Sequence, residues 1–216
     1  MGLADVVGVL NGAVEAAAPG HGEPRCWVNA GWSRSVDLEG APQWTGLDPG
    51  ACDAEEARGL VTVLVAADSA RSTKAQVAGF LLDVWCLGVK NALPPEPMSP
   101  SRLDAYRQAY FSAYDKHVQV PAELARALVF GAAAYAHELG FAPQADFEAA
   151  AAVLGEPAGA CPIRFGRDGK LLYVNGPYDD PEAIVRTLRR TVGDDGFHCT
   201  VAFPEQPRRR LFRSRR

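Results

Sequence analysis

The hydrophobic positions change period along the chain, and each change marks an element. Leu3, Val6, Val7, Leu10 and Val14 recur at helical spacing before "PGHGEP" ends the run, which predicts a helix over residues 1–20. "CWVNAGW" (26–32) alternates as a strand does. The next segment, up to about residue 57, holds Pro, Gly and Asp at turn density and reads as loop. "GLVTVLVAA" (59–67) is continuous and β-branched, as in a strand buried on one or both faces. After the turn residues "DSARST", the run "KAQVAGFLLDVWCLGV" is long enough for a helix. Its Val, Phe and Trp content and the interior Gly79 favour a strand over 77–88, giving an antiparallel hairpin. "LPPEPMSPS" reads as a rigid connector.

A helical layer follows. Ser99 and Pro100 suit an N-cap and a first turn, and Leu103, Tyr106, Tyr110 and Tyr114 then form one stripe. An aromatic stripe can stack bases, but at helical spacing it reads as core. Pro121 opens a second helix with Leu124, Leu128 and Tyr135 on a common face, ended at Gly140. A short helix over 145–154 stops at Gly155. In the last third, Asp168-Gly169 between two strand-like runs is a hairpin signal. Asp180 and Pro181 start a helix with Ile184, Val185, Leu188 and Val192 on one face, and "FHCTVAF" is a final strand. The expected fold class is α+β: antiparallel β-hairpins packed with a central helical layer, then a C-terminal hairpin–helix–strand unit. The expected division is an N-terminal helix (1–20), one core domain (24–205) and a basic tail (206–216).

Composition narrows the classes. With 216 residues, 48% of them hydrophobic, the chain can bury a core of its own. No apolar run approaches the roughly 18 residues of a membrane span, and no basic leader or myristoylation signal opens the chain. A cytoplasmic location without membrane contact is the expectation. Net charge is −4, yet the tail carries Arg208, Arg209, Arg210, Arg213, Arg215 and Arg216 and no acid, leaving the remainder at about −10. Such a tail could contact nucleic acid or an acidic protein partner. Five cysteines (26, 52, 86, 161, 199) without a C-x-x-C pair form neither a disulfide framework nor a zinc ribbon. No metal and no cofactor are expected.

The candidate chemistry centres on "DVWCLGVKNA" (83–92). Burial of Asp83 among Leu82, Val84 and Trp85 would raise its pKa toward a catalytic range, while pairing with Lys90 or with amides would make it structural. On a strand, Asp83 and Trp85 face one way and Cys86 the other, which separates an Asp–Cys pair. Cys86 has no neighbouring His to activate it and reads as a core thiol. Asp179 and Asp180 in "NGPYDDP" (175–181) stand at a helix start, where one can cap; adjacent carboxylates alone make a weak metal site. "GRDGK" (166–170) lacks phosphate-loop spacing.

"FLLDVWCLGVKNA" (80–92), "YAHELGFAPQADF" (135–147) and "IRFGRDGKLLYVNGPYDDP" (163–181) together resemble the motifs of a widespread, uncharacterised bacterial family. The resemblance spans roughly residues 26 to 203 and implies no activity, ligand or residue role. The expected function is an accessory or binding protein, its ligand surface formed by Asp83, Lys90, Asn91, Asn175 and Tyr178. Two alternatives stand beside it. One is a metal-dependent hydrolase or nuclease-like enzyme using Asp83, Lys90, Asp179 and Asp180. The other is an interaction subunit that docks through the N-terminal helix.

Overall fold

Residues 22–50, 59–69, 72–157 and 159–200 are described by a computed structural model. The predicted N-terminal helix, the basic tail and Cys52 lie outside the described residues.

The apolar strands predicted around residues 26 and 59–67 form the middle of an antiparallel sheet. Its strands are β1 (Arg25–Asn29), β2 (Leu60–Asp68), β3 (Ala75–Asp83), β4 (Gly88–Met98) and β5 (His117–Val120), in the order β4-β3-β2-β1-β5. β2 is buried on both faces, as its apolar run, interrupted only by Thr62, leads one to expect. Val61, Val63 and Val65 join one core cluster, and Leu64 and Ala66 join another on the opposite face. Each fully buried Val or Leu side chain there contributes roughly 1.5–3 kcal/mol.

Two helices cover the first face, α2 (Ala122–Glu138) and α3 (Phe147–Leu154), through Leu124, Leu128, Val129, Phe147 and Leu154. The end of α2 follows its sequence signal: the Phe141 amide donates to Ala136 O at 2.9 Å and the Gly140 amide to His137 O at 3.0 Å. The other face carries α1 (Pro100–Tyr110), whose Leu103 packs with Trp27, Leu64, Met98 and Phe111. The tyrosine stripe packs against this core. Tyr110 Oη sits over Gly79, where any Cβ would lie 2.6 Å away, and so Gly79 interrupts a strand without ending it. Tyr114 lies in the turn beyond the helix, its hydroxyl 2.6 Å from that of Thr62.

Several expected boundaries move. The strand predicted over 26–32 stops at Asn29, and the loop after it holds short 3-10 helices at Trp32–Ser35 and Pro42–Leu47. The strand predicted over 77–88 ends at Asp83, where Val84–Leu87 turn back. The proline-rich "connector" is the second half of β4. Proline cannot donate to a ladder, but β4 is an edge strand. A bulge, with Val77 opposite Glu96 and Gly79 opposite Leu93, absorbs Pro94 and Pro95. β5, only four residues long, carries just the Val118/Val120 alternation and was not anticipated.

The C-terminal unit is strand–helix–strand. β6 (Leu172–Val174) and β7 (His198–Thr200) pair in parallel, linked by α4 (Pro181–Val192). The hairpin predicted at Asp168-Gly169 is reduced to its turn. Asp168 (φ 53°) and Gly169 (φ 71°) take the left-handed conformation a two-residue turn needs, and Arg167 and Lys170 exchange backbone bonds. Beyond that pair the two runs separate, because β6 finds its partner in β7 and Arg164 bridges to Asp37.

Candidate functional site

The turn Val84–Leu87 joins the sheet to the C-terminal unit, and the predicted polar residues gather beside it. Asp83, only 4% exposed, ends β3 and folds its carboxylate onto the turn. Oδ1 accepts from the Trp85 amide at 3.1 Å and the Cys86 amide at 3.0 Å. The strand alternation expected to separate Asp83 from Cys86 does not apply, because the chain is already turning there. Burial pushes the Asp83 carboxyl up to about 6, against the opposing pull of the Trp85 amide, Lys90, and the Cys86 and Leu87 amides.

Lys90 arrives through an irregularity. Leu81 pairs with Asn91 and Leu82 with Val89, so Lys90 is the extra residue of a β-bulge, a feature that re-aims side chains. Its Nζ lies 2.7 and 2.9 Å from the two carboxylate oxygens of Asp179, 89 residues away in sequence. The Asp179 side chain is 8% exposed and that of Lys90 19%. Asp179 also accepts from the Gly176 amide at 2.7 Å and from the buried Tyr173 hydroxyl at 3.4 Å. Asp180 turns elsewhere: Oδ1 accepts from the Ala183 amide at 3.1 Å and caps α4.

The structure therefore brings Lys90 into contact with Asp179, with Asp83 near enough to feel Lys90, and leaves Asp180 on the helix. Asn91, next to the bulge, is exposed, and Asn175 is half-buried with its amide donating to Thr200 O at 3.3 Å. Tyr178 stands 98% exposed at the loop tip beside Asp179.

Two tyrosines and a thiol complete the surroundings. Tyr135 Oη, from α2, donates to Trp85 O at 3.3 Å. Burial raises the phenol pKa values of Tyr135 and Tyr173, and the nearby negative charges add to the effect. The Cys86 thiol is raised by burial and then by the charges of Asp83 and Asp179, so it carries no thiolate near neutrality. Cys26 is pushed up to about 12 by burial. Neither thiol is prepared as a nucleophile.

Sequence reading missed Tyr173 and Tyr135 as members of this cluster. No spacing rule could have grouped them, since one comes from β6 and the other from α2. Among the described residues, no group of three or more His, Cys, Asp or Glu side chains is arranged to hold a metal ion. No helix among them is long and apolar enough to cross a membrane. A separate cavity of about 80 Å³ lies between α2 and residues 159–162, lined by Trp44, Arg126, Phe130 and Cys161 among others, and its lining shares no residue with the Lys90 cluster. Compared with known proteins, the chain matches no family model, no curated protein and no solved structure.

Proposed function

We propose that this is an accessory protein that binds a protein partner through the loop over residues 175–180, with Tyr178 as the anchoring side chain. The observation that carries the reading is the pairing of opposites in two adjacent residues. Tyr178 is 98% exposed, while Asp179 is fixed from below by Lys90, Gly176 and Tyr173. A braced loop presents its aromatic residue with little ordering left to do on binding, and tyrosine is over-represented among residues that dominate interface energies. The groups that a catalytic reading would recruit already have partners of their own. Asp83 holds turn amides, Asp179 holds Lys90 and Asp180 caps α4. The arginine tail, residues 206–216, would add salt-sensitive contacts with nucleic acid or an acidic surface; deleting it should then flatten the salt dependence of binding.

The test places a photo-reactive phenylalanine at position 178, with exposed Gln108 as the control position, in the cell of origin. A partner captured from 178 and not from 108 is then purified and titrated against wild type and Tyr178→Ser. The reading predicts at least a tenfold weaker Kd for the variant, a loss of about 1.4 kcal/mol or more. Equal capture at both positions, or an unchanged Kd, would remove Tyr178 from the function.

A further inference from the structure

The junction beneath the Tyr178 loop has an uneven charge count. Lys90, from β4, is the cation in a buried cluster that also holds the carboxyls of Asp83, at the end of β3, and Asp179, before α4. The other groups facing Asp83 are the Cys86 thiol from the turn, the Tyr135 phenol from α2 and the Tyr173 phenol from β6. Arg167 is placed over the Trp85 ring, 5.4 Å from its centroid. With both carboxyls ionised the cluster carries one more negative than positive charge. Burying net charge is costly, and a proton removes it.

The cluster also lies where two parts of the fold meet. On one side are the sheet and the turn after β3; on the other, β6, α4 and β7. Apart from the ion pair, the junction rests on a small apolar group built around Cys86, Leu139, Leu171, Tyr173 and Leu188. Two backbone bonds cross it: the Gly166 amide to Val84 O and the Leu172 amide to Trp85 O.

We infer that this junction is a proton-sensitive latch: the C-terminal unit closes more tightly on the sheet when Asp83 is protonated and loosens when Asp83 ionises. In the closed form Asp83 is 4% exposed and Lys90 lies on Asp179. Opening hydrates Asp83 and releases Lys90 to it, and both changes favour the carboxylate. By linkage, a group that binds its proton more strongly in the closed form makes closure stronger as pH falls. The ordinary Asp value near 3.9 for the open form and about 6 for the closed form put the change between roughly pH 4 and 6. Because Asp179 neighbours Tyr178, the latch also sets how firmly the proposed binding loop is held. The latch stands whether or not Tyr178 has a partner.

Amide hydrogen exchange of the full chain between pH 5 and 8, corrected for intrinsic rates, reads it without any partner. Protection of Leu172–Val174 and His198–Thr200 should fall about tenfold from pH 5 to pH 8 and stay below that of the β2 amides throughout, as local opening requires. Asp83→Asn should flatten the profile to less than about twofold. Carboxyl NMR of Asp83 in the wild type gives a second reading that needs no variant, with a midpoint near 6 expected. A flat wild-type profile, a slope retained in Asp83→Asn, or protection of the C-terminal strands as high as that of β2 would each overturn the latch.

Discussion

The central strands and the junction at Val84–Leu87 are held together by different physics. β1, β2 and β3 are secured by area: they bury Val28, Val63, Leu64, Val65 and Phe80 at 0% exposure between helices on both faces. The junction is secured by a few polar contacts between residues far apart in sequence, of which Lys90–Asp179 is the strongest. In the first region many small contributions add, and losing one leaves the rest in place. In the second, each group depends on another, so removing one partner leaves a charge buried alone. The comparison predicts that changes at the junction act out of proportion to the area they remove.

The largest expected effect comes from Asp179→Ala, which strands Lys90 beneath the loop. A loss of about 3–5 kcal/mol in urea unfolding is expected. A loss below about 1 kcal/mol would place the pair with ordinary surface ion pairs. Next is Gly88→Ala, at φ +65°, where a Cβ would lie 2.5 Å from Ala136 Cβ and 2.6 Å from Ala132 O. Left-handed strain and collision with α2 together should cost on the order of 3 kcal/mol in the same assay.

Asp83 separates hydrogen bonding from charge. Asp83→Ala removes the acceptor of the Trp85 and Cys86 amides and should cost about 1–3 kcal/mol, whereas Asp83→Asn keeps an acceptor and should be neutral or stabilising at pH 8. The sign follows from the raised pKa. The folded chain holds the Asp83 proton up to about pH 6, whereas the unfolded chain releases it near 3.9, so this contribution is complete at low pH and fades as pH rises through 6. Stability measured from pH 4.5 to 8 should show that fall in the wild type and lack it in Asp83→Asn. The smallest effect is that of Asp180→Ala, an exposed cap, at about 1 kcal/mol. A larger loss there would mean that Asp180 belongs to the junction after all.

The same contrast explains what could be seen in the sequence. β2, the glycine-ended helix α2 and the Asp180 cap were legible because their signals are local: period, cap residue, turn residue. Lys90 was visible as a candidate, but its approach to Asp179 depends on a bulge, and an inserted residue leaves no mark on hydrophobic period. The prolines of β4 misled in the same way, because edge position is a property of the whole sheet. The Asp168-Gly169 turn was legible and its ladder was not, since β6 chose β7 over the nearer run. Asp83 was read through strand alternation expected to run to residue 88, whereas the strand ends at Asp83 itself.

A double-mutant cycle on Lys90→Met and Asp179→Leu tests most directly whether the candidate residues form an internal brace. Both replacements are apolar and of comparable reach, so the double variant removes the pair without leaving a buried charge. The account predicts that each single variant loses about 3 kcal/mol or more, that the double variant recovers most of that loss, and that the coupling energy is about 2–3 kcal/mol. Additive losses, with coupling below about 0.5 kcal/mol, would contradict it and return Lys90 and Asp179 to the surface as independent groups.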